Sequence, residues 1–470
     1  MLLRRIVLLL LVLAACEGAS HGELLDANQT VEAGADDASA TDAALPLITT
    51  EQWATLQTLR YDDGAPPPDP SNRFADDPAA ARFGRTLFFD PSLSGPLIEA
   101  DNDGGPATLG KQGEAGRVSC AGCHVPSAHF VDTRSPHRSI SLAAQWTRRR
   151  TPTLLEIAFA PLYNWDGRRD SIWGQALGVM ESENEFNSGR LFVAQQIFRL
   201  HRASYEALFG PLPPLDDSER FPALASEQAG CAEKLTSSGS VHICHGRPGD
   251  GDEYDGMSAG DRDLVTRVAV NVAKAMAAYV RQLRCGPGRF DSWLAGADDA
   301  LDASEQRGAA LFVGRGQCVS CHSGPRFTDG QFHNAGLAPA LVAVAFVDAD
   351  DRGAAEGLAQ LLADPLNTRG AYSDGERAVL PATLGPNLEG GFRTPTLRCI
   401  AEQPSFMHTG QLKTLEQVVA FHDRGGDGMG NYPGQNELKP LGLSEGEQSD
   451  LAAFLRTLQG AGPESALLVP

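Results

Sequence analysis

The feature that most constrains this chain is the stretch Cys120-Ala121-Gly122-Cys123-His124 and its echo, Cys318-Val319-Ser320-Cys321-His322. Each reads C-x-x-C-H, the spacing of covalent c-type haem attachment. Two thiols reach the two vinyl groups of one porphyrin, and the next residue offers its imidazole to the iron. A zinc knuckle would need four ligands close together, and each motif offers three. A redox dithiol would sit in a βαβ setting, and none is visible in the sequence. Two copies predict two covalently bound haem c groups, with Cys120, Cys123, Cys318 and Cys321 as attachment points and His124 and His322 as axial ligands. Small haem c modules are mostly helical wraps around the porphyrin, and strand patterns are scarce here. The expected fold is all-α: two tandem cytochrome c-like haem domains with long loops and little strand.

A weak internal repeat supports the tandem reading. Gly84-Arg85-Thr86-Leu87-Phe88 precedes the first haem motif and Gly308-Ala309-Ala310-Leu311-Phe312 the second. Thr-Pro-Thr-Leu follows each motif, at 151–154 and 394–397, preceded by Arg150 or Arg393. Helical periodicity is strongest from Leu264 to Leu283, and further helices are expected at Ser171–Met180, Leu415–Phe421 and Ser444–Leu458, the last with Ser444 and Glu447 as a capping box. Residues 49–262 form the expected N-terminal domain and 263–470 the C-terminal one. A Pro/Gly/acid-rich insertion at about 212–260 interrupts the first, and a loop-rich insertion at 338–391 the second.

The N-terminus carries an address. Residues 1–15 pair Arg4 and Arg5 with a short apolar run, as an export signal does. Leu13-Ala14-Ala15-Cys16 reads as a lipobox that lipidates Cys16; ordinary secretion is the alternative. Residues 16–48 are mostly polar and acidic, a flexible tether. The protein is expected on the periplasmic side of a bacterial membrane, touching the bilayer only through its lipid. Four cysteines remain, and the simplest pairing joins Cys231 to Cys244 and Cys285 to Cys399. A net charge of −21 argues against nucleic-acid binding and favours a basic redox partner.

Two haems alone make an electron carrier; an enzyme needs one iron with an open position and a polar group over it. Candidates follow the first haem motif: Trp165-Asp166-Gly167-Arg168, Gln175 and Glu185. Taken with the ordered motifs C-x-x-C-H, R-x-T-P-T-L, W-D-G-R, a second C-x-x-C-H, F-R-T-P-T-L-R and M-H-T-G, the chain from Arg82 to Leu458 resembles the bacterial dihaem cytochrome c peroxidases and their MauG-type relatives. The resemblance implies that Trp165, Gln175 and Glu185 correspond to a Trp/Gln/Glu set spaced at ten-residue intervals. Glu185 is then the acid/base over the peroxide-binding haem, Gln175 a hydrogen-bond partner of the oxygen ligand, and Trp165 an electron relay between the porphyrins. The plainer readings are a solvated acid, a helix-surface amide and a core aromatic.

The resemblance also sets expectations for the sixth ligands. Where the typical peroxidases place a His that caps the first iron, this chain has Leu142, with His129 and His137 out of register, so the first haem is expected to be open at rest. Twelve residues past Gly410, where the family has Met or Tyr, stands His422, the expected partner of His322, with Met429 as rival. The family's calcium-binding Asn is Arg150 here, and the carbonyl segment near Pro404 is one residue longer, so calcium is doubtful. His408 matches a structural His beside the first haem. The implied activity is reduction of H2O2 with electrons passed through the second haem from a cytochrome c or similar small redox protein. The rivals are a MauG-type enzyme oxidising Trp or Tyr of a partner protein and a non-enzymatic electron carrier.

Overall fold

The computed structural model describes residues 47–470 except 136–137, 237–238, 339–349, 378–387 and 429–432, with no side-chain description for 233–241. The expected export signal, Cys16, the expected tether as far as residue 46, His137 and Met429 lie outside the described residues.

The chain is mostly helical. Its helices are α1 (Thr50–Gln57), α2 (Pro78–Phe89), α3 (Cys120–Cys123), α4 (Ile172–Glu181), α5 (Arg190–Leu200), α6 (Arg202–Phe209), α7 (Glu253–Gly256), α8 (Ala259–Val280), α9 (Arg289–Leu294), α10 (Ala303–Val313), α11 (Ala354–Ala363), α12 (Leu415–Asp423) and α13 (Glu445–Arg456). Local chemistry explains their ends. Asp77 caps α2 ahead of Pro78, where the missing N–H costs nothing. Ser444 and Glu447 form the reciprocal capping box of α13.

Two hydrophobic cores dominate. One gathers Leu87, Phe88, Phe130, Trp173, Phe192 and the inner face of α8. The other gathers Phe290, Phe312, Phe327, Phe454 and the inner face of α13, and it also takes Leu56 and Leu59, residues near the start of the described chain. The repeated Gly-x-x-Leu-Phe motif now has a physical meaning. Gly84 on α2 lies against the Ala275 carbonyl of α8, where an added Cβ would come within 1.8 Å. Gly308 on α10 lies against the Asp450 carbonyl of α13, where the distance would be 2.0 Å. Each glycine lets two helix backbones cross closely, and the Phe four residues on, Phe88 or Phe312, is then fully buried in its core.

The strand content is small and local. β1 (Gly230–Thr236) and β2 (Gly239–His245) form an antiparallel hairpin inside the 212–260 insertion, with Cys231 opposite Cys244 and bonded to it. A regular hairpin in that loop-rich stretch was not legible in the sequence. β3 (Phe332–His333) pairs with β4 (Phe392–Arg393). The second insertion holds α11, and Cys285 is bonded to Cys399 across 114 residues. Among the described residues no helix is long and apolar enough to cross a membrane.

Candidate functional site

The two C-x-x-C-H motifs are built alike. Cys120 and Cys123 lie on α3, which Ser119 caps by accepting from Gly122 N at 3.2 Å. Cys318 opens a single 3-10 turn in the second motif. All four thiols are unpaired. Burial pushes Cys120, Cys123 and Cys318 up to about 12, so these three stay protonated and are poor thiolate ligands or redox dithiols. His124 Nδ1 lies 3.0 Å from the Phe130 carbonyl and His322 Nδ1 2.9 Å from the Phe327 carbonyl. A carbonyl partner fixes Nδ1 as the donor, which leaves each Nε2 lone pair for a metal. Burial lowers both imidazoles to about 4, keeping them in the neutral, ligating form.

The T-P-T-L repeats support those carbonyls. Thr153 Oγ1 donates to the His129 carbonyl at 2.6 Å, and Thr396 Oγ1 to the Arg326 carbonyl at 2.7 Å. These carbonyls belong to the residues immediately before Phe130 and Phe327. Phe130 and Phe327 themselves hold φ near +55°, at 57° and 52°, a costly conformation for an aromatic residue that its surroundings must enforce. The second Thr of each repeat is therefore a brace for the turn that aims the axial His. Sequence comparison within the chain exposed the repeat but not this task, because the partner carbonyls lie 24 and 70 residues away.

Around the second motif lies a cavity of about 940 Å3, lined by Cys318, Cys321, His322 and, from α12, His422. His422 Nδ1 lies 2.8 Å from the Val418 carbonyl one turn earlier, so its Nε2 is free for a metal as well. Burial lowers its pKa. The volume suits a large cofactor, and two neutral imidazoles with two thiols on one wall suit a covalently held haem with His322/His422 ligation.

Glu185 sits in the turn after α4. That turn is fixed by Glu185 N and Asn187 N donating to the Ser182 carbonyl at 3.1 and 2.8 Å, and by Ala144 N donating to the Glu185 carbonyl at 3.1 Å. The Glu185 carboxyl is close enough to Cys120 and Cys123 for its charge to act on both thiols. Burial raises its pKa, with Arg168, Ser182 and Arg169 opposing. Gln175, on α4, accepts through Oε1 from the Asn164 amide. Asn164 was not singled out in the sequence; its place directly before the W-D-G-R motif was the available signal. Leu142 is buried with Ile140 and Trp146, and His129 is turned away to Glu402, 2.9 Å from it.

Trp165 joins the two repeats. Its Nε1 donates to the Arg150 carbonyl at 2.8 Å, and its carbonyl accepts from Arg393 N at 2.7 Å. The ring lines the large cavity and meets His408 edge-on at 6.5 Å between centroids. His408 stacks on Phe392 at 3.5 Å, its carbonyl accepts from Arg150 N at 2.8 Å, and burial takes its imidazole down to about 3. The W-D-G-R loop is anchored by Arg149, which grips Asp351 with two bonds of 2.6 and 2.7 Å and also bonds Asp166. The Arg150 guanidinium is interior, bonded to Gln403 Oε1 at 2.6 Å.

Residues 78–226 match the family described as di-haem cytochrome c peroxidase. The chain is 28% identical over 382 residues to the methylamine utilization protein MauG of Methylorubrum extorquens, covering 81% of this chain and 78% of that one. It is 27% identical over 399 residues to cytochrome-c peroxidase IdrP1 of Denitromonas iodatirespirans, covering 83% and 84%. Its fold matches the crystal structure of the diheme peroxidase BthA from Burkholderia thailandensis, with a TM-score of 0.55 at 22% identity over 84% of this chain and 90% of that one.

Proposed function

The chain belongs to the dihaem cytochrome c peroxidase and MauG family of oxidoreductases, and from that premise we propose that it reduces H2O2 at the Cys120/Cys123/His124 site, with electrons arriving through the Cys318/Cys321/His322 site. Haem iron, when bound, supplies the redox chemistry that splits the peroxide bond. The protein's own groups move the protons. Glu185 takes a proton from one peroxide oxygen and returns it to the departing oxygen, which leaves as water. Gln175, steered by Asn164, orients the peroxide by hydrogen bonding. Trp165 carries electrons between the two sites. Two electrons and two protons convert each H2O2 into two waters, the electrons coming from a cytochrome c or similar small redox protein. The protein works exported and lipid-anchored through Cys16. The observation that carries the reading is the Glu185 carboxyl: half-buried, held by the turn after α4, and close enough to Cys120 and Cys123 for its charge to act on both thiols.

A second reading, oxidation of a Trp or Tyr on a partner protein, is favoured by two particulars. Leu142 provides no ligand to close the first site, and His422 replaces the Met of ordinary peroxidases; bis-imidazole ligation lowers the potential of a haem relative to Met/His. Electron paramagnetic resonance of the ferric protein tests the common core of both. One high-spin signal that vanishes on mixing with one equivalent of H2O2, beside one low-spin bis-imidazole signal, is expected. Two low-spin signals indifferent to peroxide in every redox state would reduce the protein to an electron carrier. Steady-state turnover with a reduced small cytochrome c then separates the two enzyme readings.

A further inference from the structure

Among the described residues Arg150 has no counter-ion. The residue is 5% exposed, its Nε is buried without a partner, and Nη2 reaches only the neutral Gln403 amide. Burial alone lowers its pKa, to about 10, with no acid acting on it. A buried guanidinium left in this state is costly, and native structures compensate such groups.

Its surroundings sharpen the problem. Arg150 borders a recess of about 90 Å3 that is also lined by Arg134, Arg138, Lys413 and one acid, Asp132. Asp132 is already engaged by Arg134 at 3.1 Å, and the Arg134 Nη1 is buried without a partner. Lys413 Nζ donates to neutral oxygens, the Gly410 carbonyl at 2.7 Å and the Ser139 hydroxyl at 3.2 Å. The Arg150 charge acts on Lys413 unfavourably. Among the described residues Arg134, Arg150 and Lys413 converge on a recess with one acid, Asp132, in a chain whose net charge is −21. The recess has room for about three waters, the scale of a carboxylate group.

We propose that this recess is an oxyanion site that holds one carboxylate among Arg134, Arg150 and Lys413. Planar guanidinium forks match a carboxylate, and the lysine adds a point charge. Two sources share this chemistry. One is a porphyrin propionate, since Arg150 also lines the large cavity. The other is a free small acid entering from solvent.

The test uses the purified holoprotein and its Arg150→Gln and Arg150→Lys variants, each checked for haem content and secondary structure. Acetate is titrated at constant ionic strength with acetamide as the neutral control, and haem midpoint potentials are measured by spectroelectrochemistry. With a free acid as ligand, acetate but not acetamide raises the melting temperature of the wild type saturably, and R150Q abolishes the rise. With a propionate as ligand, the wild type ignores acetate and R150Q moves at least one haem to lower potential, because an uncompensated propionate favours the ferric state; R150K restores most of the shift. If acetate has no effect and both potentials are unchanged in a folded R150Q, the site does not exist.

Discussion

Glu185→Gln isolates the proton-transfer role proposed for the half-buried Glu185 carboxyl. Gln has nearly the same shape and keeps the turn built by Ser182 and Ala144, whose bonds run through the backbone. What it removes is the ability to take and return a proton, a contribution of about 10²- to 10⁴-fold in rate, or roughly 3–5 kcal/mol of barrier. The assay is stopped-flow absorbance of the ferric protein against H2O2, under pseudo-first-order conditions, across pH. Burial raises the Glu185 pKa, and the base must be deprotonated to accept a proton. The wild-type rate should therefore rise with pH through that raised pKa and then level, while E185Q stays slow and flat. Stability carries a second, opposite signature. A carboxyl with a raised folded pKa favours the folded state below its unfolded pKa, and this benefit is lost as pH rises through the folded pKa. E185Q should thus be at least as stable as wild type at neutral pH. An E185Q protein with its high-spin signal intact that reacts within about threefold of wild type, or keeps the wild-type pH profile, would refute the assignment, since general acid/base help is worth far more than that.

The remaining predictions concern the scaffold. Thr153→Val removes the brace on the His129 carbonyl at a cost of about 1–3 kcal/mol, and should perturb the resonance signal of the first haem only; Thr396→Val should do the converse, and equal effects on both haems would sink the pairing of brace and ligand. Arg149→Met removes the bidentate partner of Asp351, leaving it Arg148 at 3.8 Å, and one of the two arginines on Asp166, so denaturant titration should show a loss of about 3 kcal/mol at neutral pH. Arg149 holds Asp351 below the usual carboxylate range, and Arg168 together with Arg149 does so for Asp166, which stabilises the wild type above their unfolded pKa and is lost in acid, so the wild-type advantage should shrink as pH falls. Replacing both Cys285 and Cys399 with Ser opens a loop of 114 residues and should cost about 5 kcal/mol by the chain-entropy account, against about 3 kcal/mol for the short Cys231–Cys244 loop, as read from thermal unfolding of the two double variants.

Much of the site was legible because haem attachment is a local problem. Two thiols and an imidazole must sit within five consecutive residues, so Cys120–His124 and Cys318–His322 declare themselves whatever the rest of the chain does. The internal repeat was visible for the same reason, as were the helices with strong apolar periodicity and the Ser444 capping box. The purposes of the repeats were hidden. Gly84 and Gly308 are required only because α2 crosses α8 and α10 crosses α13, and a crossing point depends on packing between elements far apart in sequence. Thr153 and Thr396 brace carbonyls that only folding brings near them. Gln175 could be named through the family resemblance, whereas its partner Asn164 was signalled only by its place before the W-D-G-R motif. The docking of Leu56 and Leu59 onto the core built from residues 290–458, and the burial of Arg150 without an acid, were likewise beyond sequence pattern. The sequence by itself determined where the two C-x-x-C-H motifs stand, because that pattern is written in short spacing. The tertiary structure alone decided which carbonyls meet His124 and His322, which buried cation has no acid among the described residues, and which carboxyl acts on Cys120 and Cys123, because each depends on what long-range packing brings together and excludes from water.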